Sequence, residues 1–199
     1  MATERESYRL FVACELPAAV REALRGLQRS LQQGGASNLR WVRPEGIHLT
    51  LKFLGSVAAP RVEAIQGALG NAVSEPFRWE MRLSGVGSFG GPQRLRVVWV
   101  GLGGDVDGLV DLARRVDRAL KPLGFPPEGR PFAPHLTLAR VRDEASPEDR
   151  RHLHGLLEAF SFPAFPAFAL DSVSLMRSFL EPGGARYTCL AQFPQTRDA

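Results

Sequence analysis

The tetrapeptide His-Leu-Thr-Leu occurs twice in this chain without a change, at residues 48–51 and again at 135–138. Successive side chains of a β-strand point to opposite faces. A strand through either copy therefore carries His and Thr on one face and the two leucines on the other. We expect the leucine face to pack against the core and the other face to carry chemistry.

Each copy also follows a turn that contains a proline. Matching motifs in matching contexts predict two related lobes that face each other about a pseudo-twofold axis. In that arrangement His48 and His135 converge on one central cleft, with the hydroxyls of Thr50 and Thr137 beside them.

Apolar periodicity predicts hairpins and amphipathic helices without regular strand-helix alternation, which favours an α+β fold with antiparallel sheets and outer helices. We expect residues 1–199 to form a single bilobal domain. The predicted helices cover residues 18–33, 60–73, 105–123 and 147–160, and the predicted strands cover residues 9–15, 39–42, 47–54, 77–86, 95–101, 135–141, 168–175 and 186–193.

The apolar runs of the chain are only a few residues long, whereas a membrane helix needs about 20. The first residues are charged and do not look like a secretory signal, so we expect a cytoplasmic protein without membrane association. Cys14 and Cys189 lie in apolar strand-like runs without CxxC spacing, and both are expected to be buried thiols.

Arginine dominates the positive charge, with 23 Arg against 2 Lys at a sequence pI of about 9.7. Guanidinium groups match phosphate oxygens and stack on bases, which suits a nucleotide or polyanion ligand. A composition set by a GC-rich genome explains the same bias, so the charge alone does not identify a nucleic-acid protein.

Two imidazoles across a cleft suit displacement at a phosphodiester. A neutral histidine can remove a proton from the attacking water, and a protonated one can give a proton to the leaving oxygen. Hydroxyl donors can stabilise the negative charge on the phosphate oxygens. No further metal ligands stand at suitable spacing and no nucleotide-cofactor motif is present, so we expect neither metal nor cofactor. His152 and His154 lie on a predicted polar helix and are expected to be solvated.

Four segments, RLFVACELP, LRWVRPEGIHLTLKFLG, PFAPHLTLAR and SFLEPGGARYTCLAQFP, resemble the 2H phosphoesterase superfamily in their order along the chain. Within it the chain is most similar to the LigT-like, ThpR-type RNA 2′,3′-cyclic phosphodiesterases, over roughly residues 8–194.

This resemblance implies a bilobal fold and metal-independent hydrolysis of a terminal 2′,3′-cyclic phosphate to a 2′-phosphomonoester. It implies that His48 is the proton donor to O3′ and that His135 is the proton acceptor from water, with Thr50 and Thr137 on the phosphate oxygens. Some relatives also join RNA ends through a 2′-5′ linkage. The residues alone do not assign acid and base, because the two tetrapeptides are identical.

Four further residues are candidates for substrate binding. Strict alternation places Lys52 on the face of His48 and Phe53 on the opposite face. Arg140 points away from His135 unless the strand bulges near Ala139. The remaining candidates are Arg130, in the connector before the second motif, and Phe11, which could stack on a base but is better explained as a core residue.

Two alternatives to hydrolysis of RNA ends stay open. The first is an enzyme of the same superfamily that acts on a small cyclic nucleotide or an ADP-ribose cyclic phosphate. The second is an inactive module that binds RNA ends, although a pure binder would not need two titratable groups around one phosphate. Whether the substrate is an RNA end or a small cyclic phosphate, we expect the enzyme to be a monomer with no obligatory protein partner.

Overall fold

The computed structural model describes residues 6–181 and 184–194 of the chain. Within these residues the chain forms nine strands and four α-helices. In chain order they are β1 (Ser7–Cys14), α1 (Ala18–Gln33), β2 (Leu39–Trp41), β3 (Leu49–Ala58), α2 (Val62–Ala72), β4 (Trp79–Phe89), β5 (Val97–Gly104), α3 (Val106–Leu120), β6 (His135–Val141), α4 (Pro147–Ala159), β7 (Phe168–Leu170), β8 (Val173–Glu181) and β9 (Gly184–Phe193).

The nine strands form one hydrogen-bonded antiparallel sheet with the order β7-β4-β5-β6-β3-β1-β8-β9, and β2 pairs with β6. The sheet has a first half, β3-β1-β8-β9, and a second half, β7-β4-β5-β6. Only Leu49 of β3 and Leu136 of β6 pair between them. The two predicted sheets are therefore halves of one sheet, joined at the two motif strands.

Helices cover the sheet on the face that carries the motif leucines. The apolar stripe of α1, which includes Leu24 and Leu31, is buried, as is the stripe of α3, which includes Leu112 and Val116. The helix α3 contacts β3, and α4 contacts β4. These α-helices therefore lie on the opposite side of the sheet from the motif histidines.

The structure corrects two predicted strand boundaries. The segment 168–175 is not one strand but two, β7 and β8, separated at Asp171. The strand predicted over residues 77–86 extends further, because β4 continues through Gly87 to Phe89. Glycine is required there because a Cβ on Gly87 would lie 2.4 Å from the ring of Trp99.

The cysteine prediction holds for one thiol and is wrong for the other. Cys14 is buried in the central strand β1, and burial raises the pKa of its thiol to about 12. Cys189 is exposed, because it lies on β9 at the edge of the sheet.

Among the helices that the structure describes, none has the length and apolar character needed to cross a membrane.

Candidate active site

The two motif histidines are held by the same local hydrogen bond. Nδ1 of His48 lies 2.8 Å from the carbonyl oxygen of Gly46, and Nδ1 of His135 lies 2.8 Å from that of Ala133. A carbonyl oxygen only accepts hydrogen bonds, so each Nδ1 carries the proton and donates it. Both rings are thereby fixed in one tautomer, and Nε2 is left as the nitrogen that can exchange a proton.

Two aromatic rings enclose His48. Phe11 stacks on it with ring centroids 4.6 Å apart, and Tyr187 meets it edge-on at 5.0 Å. Gly46 allows the Tyr187 ring to approach closely, since a Cβ at this position would make a tight contact of 3.2 Å with the ring. Burial lowers the pKa of His48 below its usual value of 6.5, while the Gly46 carbonyl and the carboxylate of Glu15 oppose this effect. The free protein therefore favours the neutral form of His48.

His135 has different neighbours. The ring of Phe89 meets it edge-on at 4.8 Å and lies 5.5 Å from the indole of Trp99. Across the β5-β6 ladder, Trp99 is paired with Thr137. The two histidines thus have identical motifs and hydrogen bonds but unlike aromatic surroundings.

A cavity of about 420 Å³ lies along this face of the sheet. His48, Thr50 and Thr137 line it together. His135 precedes Thr137 by two residues on β6 and lies on the same face, opposite the buried Leu136. The structure therefore places the four predicted motif residues on one surface at the junction of the two sheet halves.

A β-bulge follows Thr50 in the first motif strand. Val12 of β1 pairs with Lys52, whereas the next residue of β1 pairs with Thr50, so Leu51 has no partner. Leu51 and Lys52 are consequently both buried, and Phe53 turns into the cavity. The side chain of Phe53 is 60% exposed there.

The bulge makes the prediction for Lys52 wrong. Its side chain is only 2% exposed and points away from His48, where its ammonium group bonds the carboxylate of Asp117 on α3 and the carbonyl of Pro126. Phe53 was predicted on the apolar face and is also on the other side. Both errors have one cause, because a single extra residue reverses the alternation of the residues that follow it, here up to a second register shift beyond Phe53.

The second motif strand carries the equivalent bulge. Val98 of β5 pairs with Ala139 and the next residue pairs with Thr137, which leaves Leu138 without a partner on β5. Leu138 and Ala139 are both buried, and Arg140 turns into the cavity. Arg140 was expected to face the cleft only if the strand bulged near Ala139, and this bulge is present.

The positions of Arg130 and Phe11 do not suit direct contact with a substrate. Arg130 is exposed beside Glu128 and Phe132 at a separate depression near α3, away from the residues that line the cavity of His48. Phe11 reaches the site but is only 3% exposed. It is packed against the His48 ring, so its free face is too small to stack on a base.

The cavity lining includes polar and aromatic residues that were not predicted from the sequence, among them Tyr187, Phe53 and Arg9. Burial raises the pKa of the Tyr187 phenol above its usual value of 10, and the positive charges of Arg140 and Arg9 oppose the shift. The sequence signal for Tyr187 is the alternation of β9. That signal becomes informative only once the pairing of β9 with β8, and of β8 with β1, is known.

The remaining histidines lie outside the cavity on α4, as predicted. His152 is exposed, and Nδ1 of His154 lies 3.4 Å from the carboxylate of Glu158. Across residues 6–181 and 184–194, no three His, Cys, Asp or Glu side chains cluster in a way that could hold a metal ion.

Comparison with known proteins identifies relatives over nearly the whole chain. A family described as "LigT like Phosphoesterase" matches residues 15–99 and 103–187, and each matched segment contains one His-Leu-Thr-Leu motif. An RNA 2′,3′-cyclic phosphodiesterase of Methanothermobacter thermautotrophicus is 33% identical over 187 residues, which covers 93% of this chain and 97% of the relative. The RNA 2′,3′-cyclic phosphodiesterase of Escherichia coli is 31% identical over 193 residues, 96% of this chain and 99% of the relative.

Solved structures share the fold. The E. coli LigT structure in complex with 3′-AMP superposes with a TM-score of 0.74 at 29% identity and covers 96% of this chain and 100% of that one. The structure of TT0787 from Thermus thermophilus has a TM-score of 0.73 at 28% identity, with 93% and 96% coverage.

Proposed function

The chain belongs to the LigT-like phosphoesterase family, and from that premise we propose that it hydrolyses the 2′,3′-cyclic phosphate at the 3′ end of an RNA to a 2′-phosphomonoester. The observation that carries this proposal is the paired fixing of His48 and His135 through Nδ1. Each ring then offers one nitrogen, Nε2, to the reacting phosphate.

The reaction needs one proton removed and one supplied. The oxygen of water forms a bond to phosphorus as Nε2 of His135 takes its proton, and the bond from phosphorus to O3′ breaks as Nε2 of His48 gives O3′ a proton. The phosphate stays on O2′, so atoms and charges balance. We assign His48 as acid and His135 as base on the family resemblance.

The lowered pKa of His48 is compatible with the acid role. A histidine of lower pKa is a stronger acid but is less often protonated in the free enzyme. The negative charge of a bound cyclic phosphate favours the imidazolium form and offsets the effect of burial. Substrate binding would thus bring the proton to the ring that donates it.

The remaining cavity residues suit a nucleotide. The hydroxyls of Thr50 and Thr137 and the guanidinium of Arg140 are donors for phosphate oxygens. The exposed ring of Phe53 offers a flat face for a nucleobase. All of these residues belong to one chain, so we propose that the site is complete in a monomer.

The test is incubation of the purified protein, in EDTA, with a short RNA that ends in a 2′,3′-cyclic phosphate. We expect a 2′-phosphate product, identified against 2′- and 3′-phosphate standards. His48→Ala and His135→Ala should each lower kcat/KM by at least about 100-fold, the usual loss for a general acid or base. His152→Ala on α4 is the matched control and should keep full activity. Loss of turnover in EDTA, or full turnover in either motif variant, would contradict the mechanism.

A small cyclic nucleotide is the second candidate substrate. The cavity volume of about 420 Å³ favours it, because sites of this size typically enclose a single small ligand. Turnover of a cyclic mononucleotide without turnover of the RNA would identify that reaction. Formation of a 2′-5′ linkage between an RNA that ends in a 2′,3′-cyclic phosphate and an RNA with a 5′-hydroxyl would show that ligation also occurs, with the 5′-oxygen bonding to phosphorus in place of water as the bond to O3′ breaks.

A further inference from the structure

Six arginines surround a second cavity, of about 610 Å³, next to the active-site cavity. They come from β2, from the turn between β4 and β5, from the end of β6 and from α4. Asp143 is the single acidic residue in the lining. This arginine patch consists of Arg40, Arg94, Arg96, Arg140, Arg142 and Arg150.

The arginine patch is continuous with the active site through Arg140, which lines both cavities. Arg40 on β2 is paired directly with Arg140 on β6. Residues paired across an antiparallel ladder project to the same face. The surface that carries the motif histidines therefore continues without a break into the patch.

The charges of the patch are not neutralised within the protein. In the described part of the chain, the side chains of Arg40, Arg94, Arg96, Arg140 and Arg142 form no ion pair and no hydrogen bond. Like charges directly opposite each other on a sheet are destabilising. Because these like charges destabilise the folded protein when nothing neutralises them, the arginine patch is suited to binding an external polyanion.

The sixth arginine gives the patch a fixed framework. The guanidinium of Arg150 donates to the carbonyl oxygens of Leu95, Ala145 and Arg142. It thereby ties the β4-β5 turn and the end of β6 to α4. The other five arginine side chains of the patch therefore project from backbone segments that the hydrogen bonds of Arg150 hold together.

We propose that the arginine patch binds the phosphodiester backbone of the RNA on the 5′ side of the cyclic phosphate, so that the preferred substrate is an oligonucleotide. This inference rests on the proposed function. A cyclic phosphate occupies the 3′ terminus, so the rest of the RNA leaves the active site only in the 5′ direction. The chain that leaves past Arg140 meets the patch, whereas a mononucleotide would leave the patch empty.

A second basic surface provides an internal comparison. Arg114, Arg115 and Arg118 lie on α3, but Asp111 and Asp117 are interspersed with them. The guanidinium of Arg114 is 3.1 Å from the carboxylate of Asp111. Substitution of Arg114 and Arg118 removes the same formal charge as substitution of two patch arginines, at a surface outside the active-site cavity.

The experiment compares kcat/KM for an RNA of about eight nucleotides with that for a cyclic mononucleotide of the same 3′ base, from about 50 to 200 mM salt. The wild type should prefer the RNA at least about tenfold at the lowest salt. The preference should fall as salt rises, because each phosphate held on a single strand contributes about −0.7 to the logarithmic slope.

The double variant Arg40→Gln/Arg94→Gln should lower kcat/KM for the RNA at least about tenfold more than for the mononucleotide, and should reduce the magnitude of the salt slope by about 1.4. Arg114→Gln/Arg118→Gln should keep both the preference and the slope. Thermal unfolding of both variants checks that they remain folded.

Each contrary result has a distinct meaning. Equal kcat/KM and equal salt dependence for the two substrates would overturn the patch inference and leave the proposed hydrolysis intact. Loss of RNA preference in the α3 variant, with retention in the patch variant, would place the RNA on α3 and overturn it as well. Failure of the wild type to hydrolyse either substrate would overturn the proposed function and this inference with it.

Discussion

The ring of His48 lies between Phe11 and Tyr187, and opposing effects set its pKa. Removal from water disfavours the imidazolium and lowers the pKa, while the carboxylate of Glu15 favours the imidazolium. Glu15 is held in place by a 2.8 Å hydrogen bond from the hydroxyl of Ser174, which is itself buried. The protonation of His48 is therefore controlled by neighbours outside the repeated tetrapeptide.

Two variants should move the pKa of His48 in opposite directions. Phe11→Ala admits water to the ring and should raise the pKa toward 6.5, whereas Glu15→Gln removes a favourable charge and should lower it further. Titration of the His48 ring signals by NMR measures both shifts. With His48 as the acid, the alkaline limb of the kcat/KM profile should move the same way as the pKa in each variant.

Phe89→Ala, beside His135, is the matched control for loss of an aromatic ring and should leave the pKa of His48 unchanged. Shifts of the same sign in Phe11→Ala and Glu15→Gln would contradict the assignment of burial and Glu15 as opposing causes.

At the scale of the element, the bulge in β6 is stabilised by a side chain from α1. Gln28 is one of the few buried polar residues, and its amide Nε2 donates to the carbonyl oxygens of Leu138 and Val42, at 3.1 and 2.8 Å. Leu138 is the bulged residue, and Arg140 follows it into the cavity. Gln28 thus fixes the position at which the strand redirects Arg140.

Gln28→Met keeps the volume of the side chain but removes the donor to both carbonyls. We expect a loss of about 1–3 kcal/mol in the free energy of unfolding, the usual cost of an unsatisfied buried polar group, because the Val42 carbonyl loses its donor whereas the Leu138 carbonyl still accepts from the Val42 amide. The variant should also lower kcat/KM, and its effect should not add to that of Arg140→Ala, because both changes remove the same phosphate contact. Chemical denaturation and steady-state kinetics measure the two effects.

Ile65→Val on α2 is the control, since it should destabilise the protein by about 0.5–1.5 kcal/mol without reaching either motif strand. Fully additive effects of Gln28→Met and Arg140→Ala would show that the two residues act independently.

The bulges also mark how far the sequence could predict the site. Strand alternation was sufficient to predict the face of His48 and Thr50 and of His135 and Thr137, because these residues precede the bulges in their strands. It failed at Lys52 and Phe53, since a bulge is fixed by the register of the partner strand, here β1, and by the side chains packed beneath it. Tyr187 could not be predicted for a related reason, because its distance from His48 depends on three strand pairings.

At the scale of the whole molecule, the two sheet halves support each other's motif strand. Gln28 of α1, from early in the chain, bonds β6 in the second half. Asp117 of α3, from late in the chain, bonds Lys52 of β3 in the first half. These crossed contacts reinforce a seam at which the strands themselves share only the pair of Leu49 and Leu136.

The crossed ion pair should respond unequally to loss of its two members. The side chain of Lys52 is 3% exposed and that of Asp117 is 26% exposed. Asp117→Ala leaves a buried ammonium without its carboxylate and should cost about 3–5 kcal/mol, as for a broken buried pair. Lys52→Met leaves a carboxylate that still reaches water and should cost less.

Chemical denaturation of the two single variants and of Lys52→Met/Asp117→Ala measures the difference. The double variant should be more stable than Asp117→Ala alone, because it no longer buries an unpaired charge. A smaller loss in Asp117→Ala than in Lys52→Met would contradict the buried position of the ammonium group.

The pairing of β1 with β8 has a consequence for the order in which the protein is made. Arg9 pairs with Ser178, so strands from distant parts of the chain lie side by side. A ribosome completes every strand of the second half, β4 to β7, before it reaches β8. One edge of β1 therefore stays unpaired until β8 is synthesised, and the surroundings of His48 are completed only when β9 then brings Tyr187 to the ring. A nascent chain therefore completes the surroundings of one histidine well before those of the other.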